Sequence, residues 1–93
     1  MSAGFQAQGD RMADWDEYYD AEGLLCPLPV LRAAKLLRQM APGTVLRLSA
    51  TDGASWVDVP HFCAQSGHEL IEAEDTGARL VYLIRRGAET PPQ

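Results

Sequence analysis

The sequence lacks an excess of positive charge. Its 93 residues carry a formal net charge of -5 at pH 7. Nucleic acids and anionic membranes are held by positive surfaces, so we expect direct binding to neither. Any connection with RNA is expected to run through a partner protein.

Long apolar runs are also missing. The chain has no stretch of about 18 apolar residues, the length that a membrane helix needs. The beginning, MSAGFQAQGDRMADWDE, contains no basic segment followed by an apolar core, as a secretory signal would. We therefore expect a cytoplasmic protein. Its size suits a single domain over residues 14–87, with a flexible leader at 1–13 and a tail at 88–93.

Cysteine is scarce. Cys26 and Cys63 are the two cysteines, they lie far apart, and neither belongs to a CxxC pair. The dense disulfide framework of small secreted proteins is therefore excluded, and two free thiols are expected. A zinc site would require the fold to gather both cysteines with His61 or His68, so we expect no metal ion and no cofactor.

The spacing of apolar residues predicts the order strand, helix, strand, helix, strand, strand. Strands are predicted at residues 16–20, 44–50, 68–75 and 78–86, the last two as an antiparallel hairpin. The first helix is predicted from Pro27 to Pro42-Gly43. The second ends at Ser66-Gly67 and begins either at Ser55, with Asp58 at capping-box spacing, or at Pro60. A mixed sheet carrying both helices on one face would bury every apolar stripe.

Two elements have clear faces. In the strand at 44–50, alternation places Leu46, Leu48 and Ala50 on the core side. The first helix is predicted to bury a stripe formed by Val30, Leu31, Ala34 and Leu37. Its other side carries Arg32, Lys35 and Arg38, either as a solvated face or as a docking strip for an acidic partner.

The stretch LLCPLPVLRAA places a thiol where this helix begins. Pro27 suits the first helical position and Pro29 the first turn, where a missing N–H costs no helical hydrogen bond. Cys26 would then be the N-cap, and the helix dipole would lower its pKa by less than about one unit. Such a thiol is suited to accept and pass on a group. The alternative is that Cys26 merely caps or packs, although cysteine is a poor N-cap.

The same stretch resembles the opening of the TusA (SirA-like) sulfur carrier family, whose pattern is D-x-x-G-x-x-C-P-x-P. Those positions are occupied by Asp20, Gly23, Cys26, Pro27 and Pro29. The later segments PGTVLRLSATD, DVPHFCAQSGHEL and YLIRRG also resemble the family, so the similarity covers residues 19–87.

The resemblance implies a two-layer βαβαββ sandwich, an α/β (α+β) fold that agrees with the predicted order. It implies a sulfur carrier in which Cys26 accepts sulfur as a persulfide from a cysteine desulfurase or another donor. An acceptor protein then takes that sulfur, for tRNA 2-thiolation, sulfur oxidation, molybdenum cofactor supply or selenium metabolism. Gly23, Pro27 and Pro29 would present the thiol. We expect a monomer without independent turnover, at most a sulfurtransferase-type carrier.

One departure concerns Leu25, where the family often has Arg or Lys. Without the positive charge of that Arg or Lys, a thiolate at Cys26 has less electrostatic support. This favours an alternative, a non-catalytic interaction or regulatory module. Another alternative is a thiol redox switch that uses Cys26 and Cys63.

Other polar residues are interpreted structurally. Cys63 is expected to pack in the core, with a resolving thiol as the alternative. His68 is expected to be structural unless the sheet brings it to Cys26. Asp52, Asp58 and Pro60 are interpreted as loop and cap residues.

Overall fold

A computed structural model describes residues 15–88, so the predicted leader and residues 89–93 lie outside the described part. Six elements follow one another in the predicted order. They are β1 (Glu17–Ala21), α1 (Leu28–Gln39), β2 (Val45–Ala50), α2 (Ser55–Ser66), β3 (Glu69–Asp75) and β4 (Leu80–Arg85). The predicted strand limits are thus confirmed to within one or two residues, as expected for hydrogen-bonded boundaries.

The four strands form one mixed sheet in the order β1-β2-β4-β3. Strands β1 and β2 are parallel, whereas β4 is antiparallel to both of its neighbours. The predicted hairpin of β3 and β4 is confirmed, with a register shift between Leu70 and Glu72. Both helical crossovers, β1-α1-β2 and β2-α2-β3, advance across the sheet in the same direction. Because such crossovers are right-handed, the two helices lie on the same face.

The core lies between the helices and the sheet. The predicted inner face of β2 is confirmed, since Leu46, Leu48 and Ala50 are fully buried. Tyr82 of β4 is also buried, and its hydroxyl pairs with the Ser55 hydroxyl at 2.6 Å. This pair satisfies two polar atoms that would otherwise be unpaired in an apolar environment.

The buried stripe of α1 differs from the prediction by about one position. The structure buries Pro29, Ala33 and Leu37, while Leu31 is 56% exposed. The buried residues are four apart and therefore lie on one side of the helix, so helical spacing fits the observed stripe as well as the predicted one. The small Ala33 side chain, fully buried in the core cluster, allows the helix to approach the sheet closely.

Helix α2 is one continuous helix, so the shorter version beginning at Pro60 is wrong. Pro60 lies inside the helix, where it removes one intrahelical hydrogen bond. Burial of Val59 and Cys63 compensates for this loss. The capping box is also wrong, because Ala54 is the N-cap and the Ser55 hydroxyl points to Tyr82. The predicted end is confirmed by Gly67, whose φ of 77° is left-handed.

Each of the two helices has 12 residues. In residues 15–88, neither helix reaches the length and hydrophobicity of a membrane span.

Candidate functional site

Cys26 lies in the connection between β1 and α1, one residue before the N-cap, whereas the sequence predicted it to be the N-cap itself. The N-cap of α1 is Pro27, with φ -100° and ψ 18°, and the Cys26–Pro27 peptide is cis. The carbonyl of Pro27 accepts the N–H of Leu31 at 3.0 Å, while the N–H of Leu28 donates to Leu25 at 2.8 Å. Since Leu28 is the first helical residue, Cys26 is not the N-cap.

The rest of the predicted motif shapes this connection. Gly23 has a φ of 87°, a left-handed conformation that strains other residues, and its N–H donates to Thr51 Oγ1 at 2.9 Å. The Asp20 carboxylate accepts the N–H of Glu22 at 2.9 Å. Pro29 is buried under the first turn of α1. These contacts fix the connection on both sides of Cys26.

Two aspartates contact Cys26. Its Sγ–H donates to Oδ2 of Asp58 at 2.6 Å, and its backbone N–H donates to Oδ2 of Asp52 at 2.5 Å. The interpretation of Asp58 as a cap residue is therefore wrong. Asp52 is the loop residue that was expected, because its other oxygen accepts the N–H of Ala54 at 3.0 Å.

The sequence did contain a signal for this meeting. Asp52 and Asp58 follow β2, and Cys26 follows β1. If β1 and β2 are neighbouring parallel strands, the segments after their carboxyl ends lie at the same edge of the sheet. The predicted βαβ order is therefore the sequence signal that could have placed Asp58 beside Cys26.

The environment of the thiol opposes ionisation. The hydrogen bond to Asp58 is the main cause that raises the pKa of Cys26, followed by desolvation and the charges of Asp58 and Asp52. The predicted decrease in this pKa is therefore wrong. A helix terminus shifts a pKa by less than about one unit, and two adjacent carboxylates outweigh it.

An open cleft of about 340 Å³ lies between the two helices beside Cys26. Cys26 is exposed and lines the cleft with Val30 from α1 and with Asp58, His61 and Phe62 from α2. The thiol is therefore accessible to a reactant, and the cleft offers space for one.

Large apolar side chains are exposed at the beginnings of both helices. Leu25 is 70% exposed and Val57 is 71% exposed, and the exposed fractions of Leu28, Leu31 and Trp56 lie between 38% and 56%. The predicted basic strip of Arg32, Lys35 and Arg38 is exposed along α1. Exposed apolar side chains thus flank Cys26 in the chain, and exposed basic side chains follow along α1.

The second thiol and the second histidine have structural environments. Cys63 is buried in the core, where burial raises its pKa to about 11, in agreement with a packing role. His68 Nδ1 accepts the N–H of Gly87 at 2.9 Å, and its ring contacts Phe62. Burial, and then the charge of Arg86, lower the pKa of His68. The histidine that lines the cleft with Cys26 is His61.

Within residues 15–88, no group of three or more His, Cys, Asp or Glu side chains is placed to hold a metal ion. Of the two cysteines, Cys26 is exposed and Cys63 is buried in the core.

Comparison with known proteins identifies the family. Residues 17–86 match the family model described as "Sulfurtransferase TusA". The "Sulfur carrier protein TusA" of Allochromatium vinosum is 47% identical over 75 residues, 81% of this chain and 99% of that protein. The protein of that name from Pseudomonas paraeruginosa is 40% identical over 74 residues, 80% of this chain and 94% of the relative.

A solved structure gives the same result for the fold. The crystal structure of a SirA-like protein from Desulfitobacterium hafniense superposes with a TM-score of 0.69 at 26% identity. The match covers 77% of this chain and 99% of the other. The two-layer βαβαββ prediction is thus confirmed, and the chain belongs to the TusA sulfurtransferase family.

Proposed function

We propose that this protein is a sulfur carrier in which Cys26 holds the transferred sulfur as a persulfide. Two relatives of high coverage are named as sulfur carriers, which supports the class of function. The observation that carries the assignment to a residue is the exposed Sγ of Cys26 beside the cleft of about 340 Å³. Cys63 is too deeply buried to serve the same purpose.

The transfer is an exchange between thiols. The thiolate of Cys26 attacks the outer sulfur of a donor persulfide, a bond forms between Sγ and that sulfur, and the donor S–S bond breaks. The donor cysteine leaves as a thiolate and takes up the proton released from Cys26. Delivery repeats these steps, with the thiol of an acceptor protein as the attacking group. No net oxidation or reduction occurs, and the exchange requires neither a metal ion nor an organic cofactor.

The residues around Cys26 are proposed to present it. Gly23 and its bond to Thr51 turn the chain after β1, and Pro27 caps α1 directly behind the thiol. Pro29 anchors the first helical turn in the core. Together they keep Sγ at the surface, where a second protein reaches it.

Donor and acceptor are proposed to dock beside α1. The exposed Arg32, Lys35 and Arg38 complement an acidic surface and speed encounter in a salt-dependent way. The donor is of the cysteine desulfurase type, and the acceptor belongs to tRNA 2-thiolation or a related sulfur pathway in the cytoplasm. The protein acts as a monomer, without direct contact with nucleic acid or membrane.

Mass spectrometry tests the proposal. After incubation with a cysteine desulfurase and cysteine, the intact protein should gain about 32 Da, one sulfur atom. The adduct should be lost on reduction and in Cys26→Ser, but should persist in Cys63→Ser. No adduct with several desulfurases, or an adduct retained by Cys26→Ser, would contradict the assignment.

A second candidate is an interaction module without sulfur transfer. It is favoured by the exposed Leu25, and by the two aspartates that raise the pKa of Cys26 and so disfavour its thiolate. In that case Cys26→Ser would leave partner binding intact, and the wild-type protein would never acquire the sulfur adduct.

A further inference from the structure

Asp58 interacts differently with the empty and the sulfur-loaded forms of Cys26. In the empty form, the proton on Sγ donates to Oδ2 of Asp58 at 2.6 Å. In a persulfide, Sγ is bonded to the second sulfur and has no proton to donate. Loading therefore breaks this hydrogen bond.

We infer that Asp58 is a positioning residue that stabilises the empty carrier relative to the loaded one and thereby favours delivery of the sulfur. This inference rests on the proposed function, because it requires a persulfide on Cys26. The role of Asp58 is to set the relative stability of the empty and loaded forms, which the residues of the sequence motif do not explain.

The charges near Sγ act in the same direction. A persulfide ionises more readily than a thiol, so the loaded form brings an anionic sulfur close to the carboxylate of Asp58. Asp52 adds a second negative charge, and its hydrogen bonds from Cys26 and Ala54 lower its pKa and keep it ionised. The same two carboxylates raise the pKa of the empty thiol.

The other groups at the cleft do not cancel this repulsion. Pro27 and Val30 line it beside α1 and carry no charge, and Gln65 on α2 is uncharged. His61 is the titratable group that faces Cys26 from α2 besides Asp58. Variants of Asp58 leave His61 unchanged, so a difference between them and the wild type reports on the carboxylate of Asp58.

An exchange equilibrium measures the balance directly. The full chain is equilibrated with known amounts of glutathione persulfide and glutathione near pH 8, and the persulfidated fraction is read by intact-mass spectrometry. The thiolate of Cys26 attacks the outer sulfur, glutathione leaves as a thiolate that takes up a proton, and the process is redox-neutral. Peptide mapping and Cys26→Ser confirm that the adduct is on Cys26.

Removing the carboxylate should shift this equilibrium towards loading. We expect Asp58→Asn and Asp58→Ser to raise the exchange constant about three- to tenfold, a modest factor because the pair is exposed and screened. Asp58→Glu, which keeps a carboxylate, should return the constant towards the wild-type value. Glu72→Gln is the matched control and should change nothing. It removes the same charge from the strand face opposite the helices, because Glu72 pairs with Leu83, whose neighbours Tyr82 and Ile84 face the core.

A second measurement separates this role from a structural one. The alkylation rate of Cys26 is measured against pH. The midpoint of this profile should move to lower pH in Asp58→Asn and Asp58→Ser but not in Glu72→Gln. If the wild-type chain takes up no sulfur from glutathione persulfide, the proposed function itself fails. If the wild type is loaded and both Asp58 variants keep its exchange constant and alkylation profile, only the inference about Asp58 is overturned.

Discussion

The two cysteines share a raised pKa but have it for different reasons. Cys26 is exposed, and the hydrogen bond to Asp58 is the main cause. Cys63 is 2% exposed, and burial raises its pKa to about 11. A docking partner can change the contacts of a surface thiol, whereas the packing around Cys63 belongs to the core and stays the same when a partner docks. The direction of a pKa shift therefore does not distinguish a reactive thiol from a packing thiol, but accessibility does.

The largest expected difference is the rate of chemical labelling. Near pH 8, iodoacetamide should alkylate Cys26 at least about 100-fold faster than Cys63 in the folded protein. A pKa of about 11 leaves about one thiol in a thousand ionised at that pH, and the core also blocks the reagent. Peptide mass spectrometry measures both sites in one sample. In denaturant the two rates should converge. Similar rates in the folded protein would contradict the difference in accessibility between Cys26 and Cys63.

A smaller effect concerns stability at alkaline pH. The folded-state pKa of Cys63, about 11, lies above the ordinary value of 9.0, so the folded state retains a proton that the unfolded state loses. This contribution to the free energy of unfolding is fully present below about pH 9. It is lost as pH rises to about 11, by at most about 2–3 kcal/mol.

Urea unfolding at several pH values checks this window. The difference between the wild type and Cys63→Ala isolates the thiol from other groups, including Tyr82, whose pKa is also raised, mainly by burial. Cys26→Ala is the matched control, and its pH dependence should stay closer to that of the wild type because Cys26 is exposed. A wild-type decline that is unchanged in Cys63→Ala would contradict the assignment.

The smallest expected effect separates the two aspartates. Asp52→Asn should lower the pKa of Cys26 less than Asp58→Asn, because Asp52 bonds the backbone N–H and acts on the thiol by charge alone. The alkylation rate of Cys26 against pH gives both shifts, while the rate at Cys63 serves as an internal reference. A larger shift for Asp52→Asn would reverse the assigned order, provided that circular dichroism shows a folded variant.

Local patterns were sufficient to predict the elements of this fold. The alternation of Leu46, Leu48 and Ala50 correctly identified the inner face of β2, because strand periodicity is a property of neighbouring residues. The buried face of α1 was predicted about one position away from where it lies. Its rotation about the helix axis depends on how Pro29 and Ala33 pack against the sheet, so the exposure of Leu31 did not follow from spacing.

The candidate site was predicted only in part. Cys26, Gly23, Pro27 and Pro29 form one contiguous motif, so a resemblance over a few residues was enough to propose them. The position of Cys26 relative to the N-cap was wrong by one residue, because the turn from Leu25 to Leu28 precedes the helix. The nearby carboxylates, and above all the hydrogen bond to Asp58, reversed the predicted direction of the pKa shift of Cys26.

Residues close together in the chain specify the order of the elements, the inner face of β2 and the motif that carries the thiol, so these features could be predicted from local patterns. The surroundings of that thiol depend instead on segments that are distant in the chain and adjacent in the fold. Asp58 is 32 residues from Cys26 and meets it because β1 and β2 are parallel neighbours. The resting protonation of Cys26 is therefore set by a contact between two crossover connections, which no local pattern specifies.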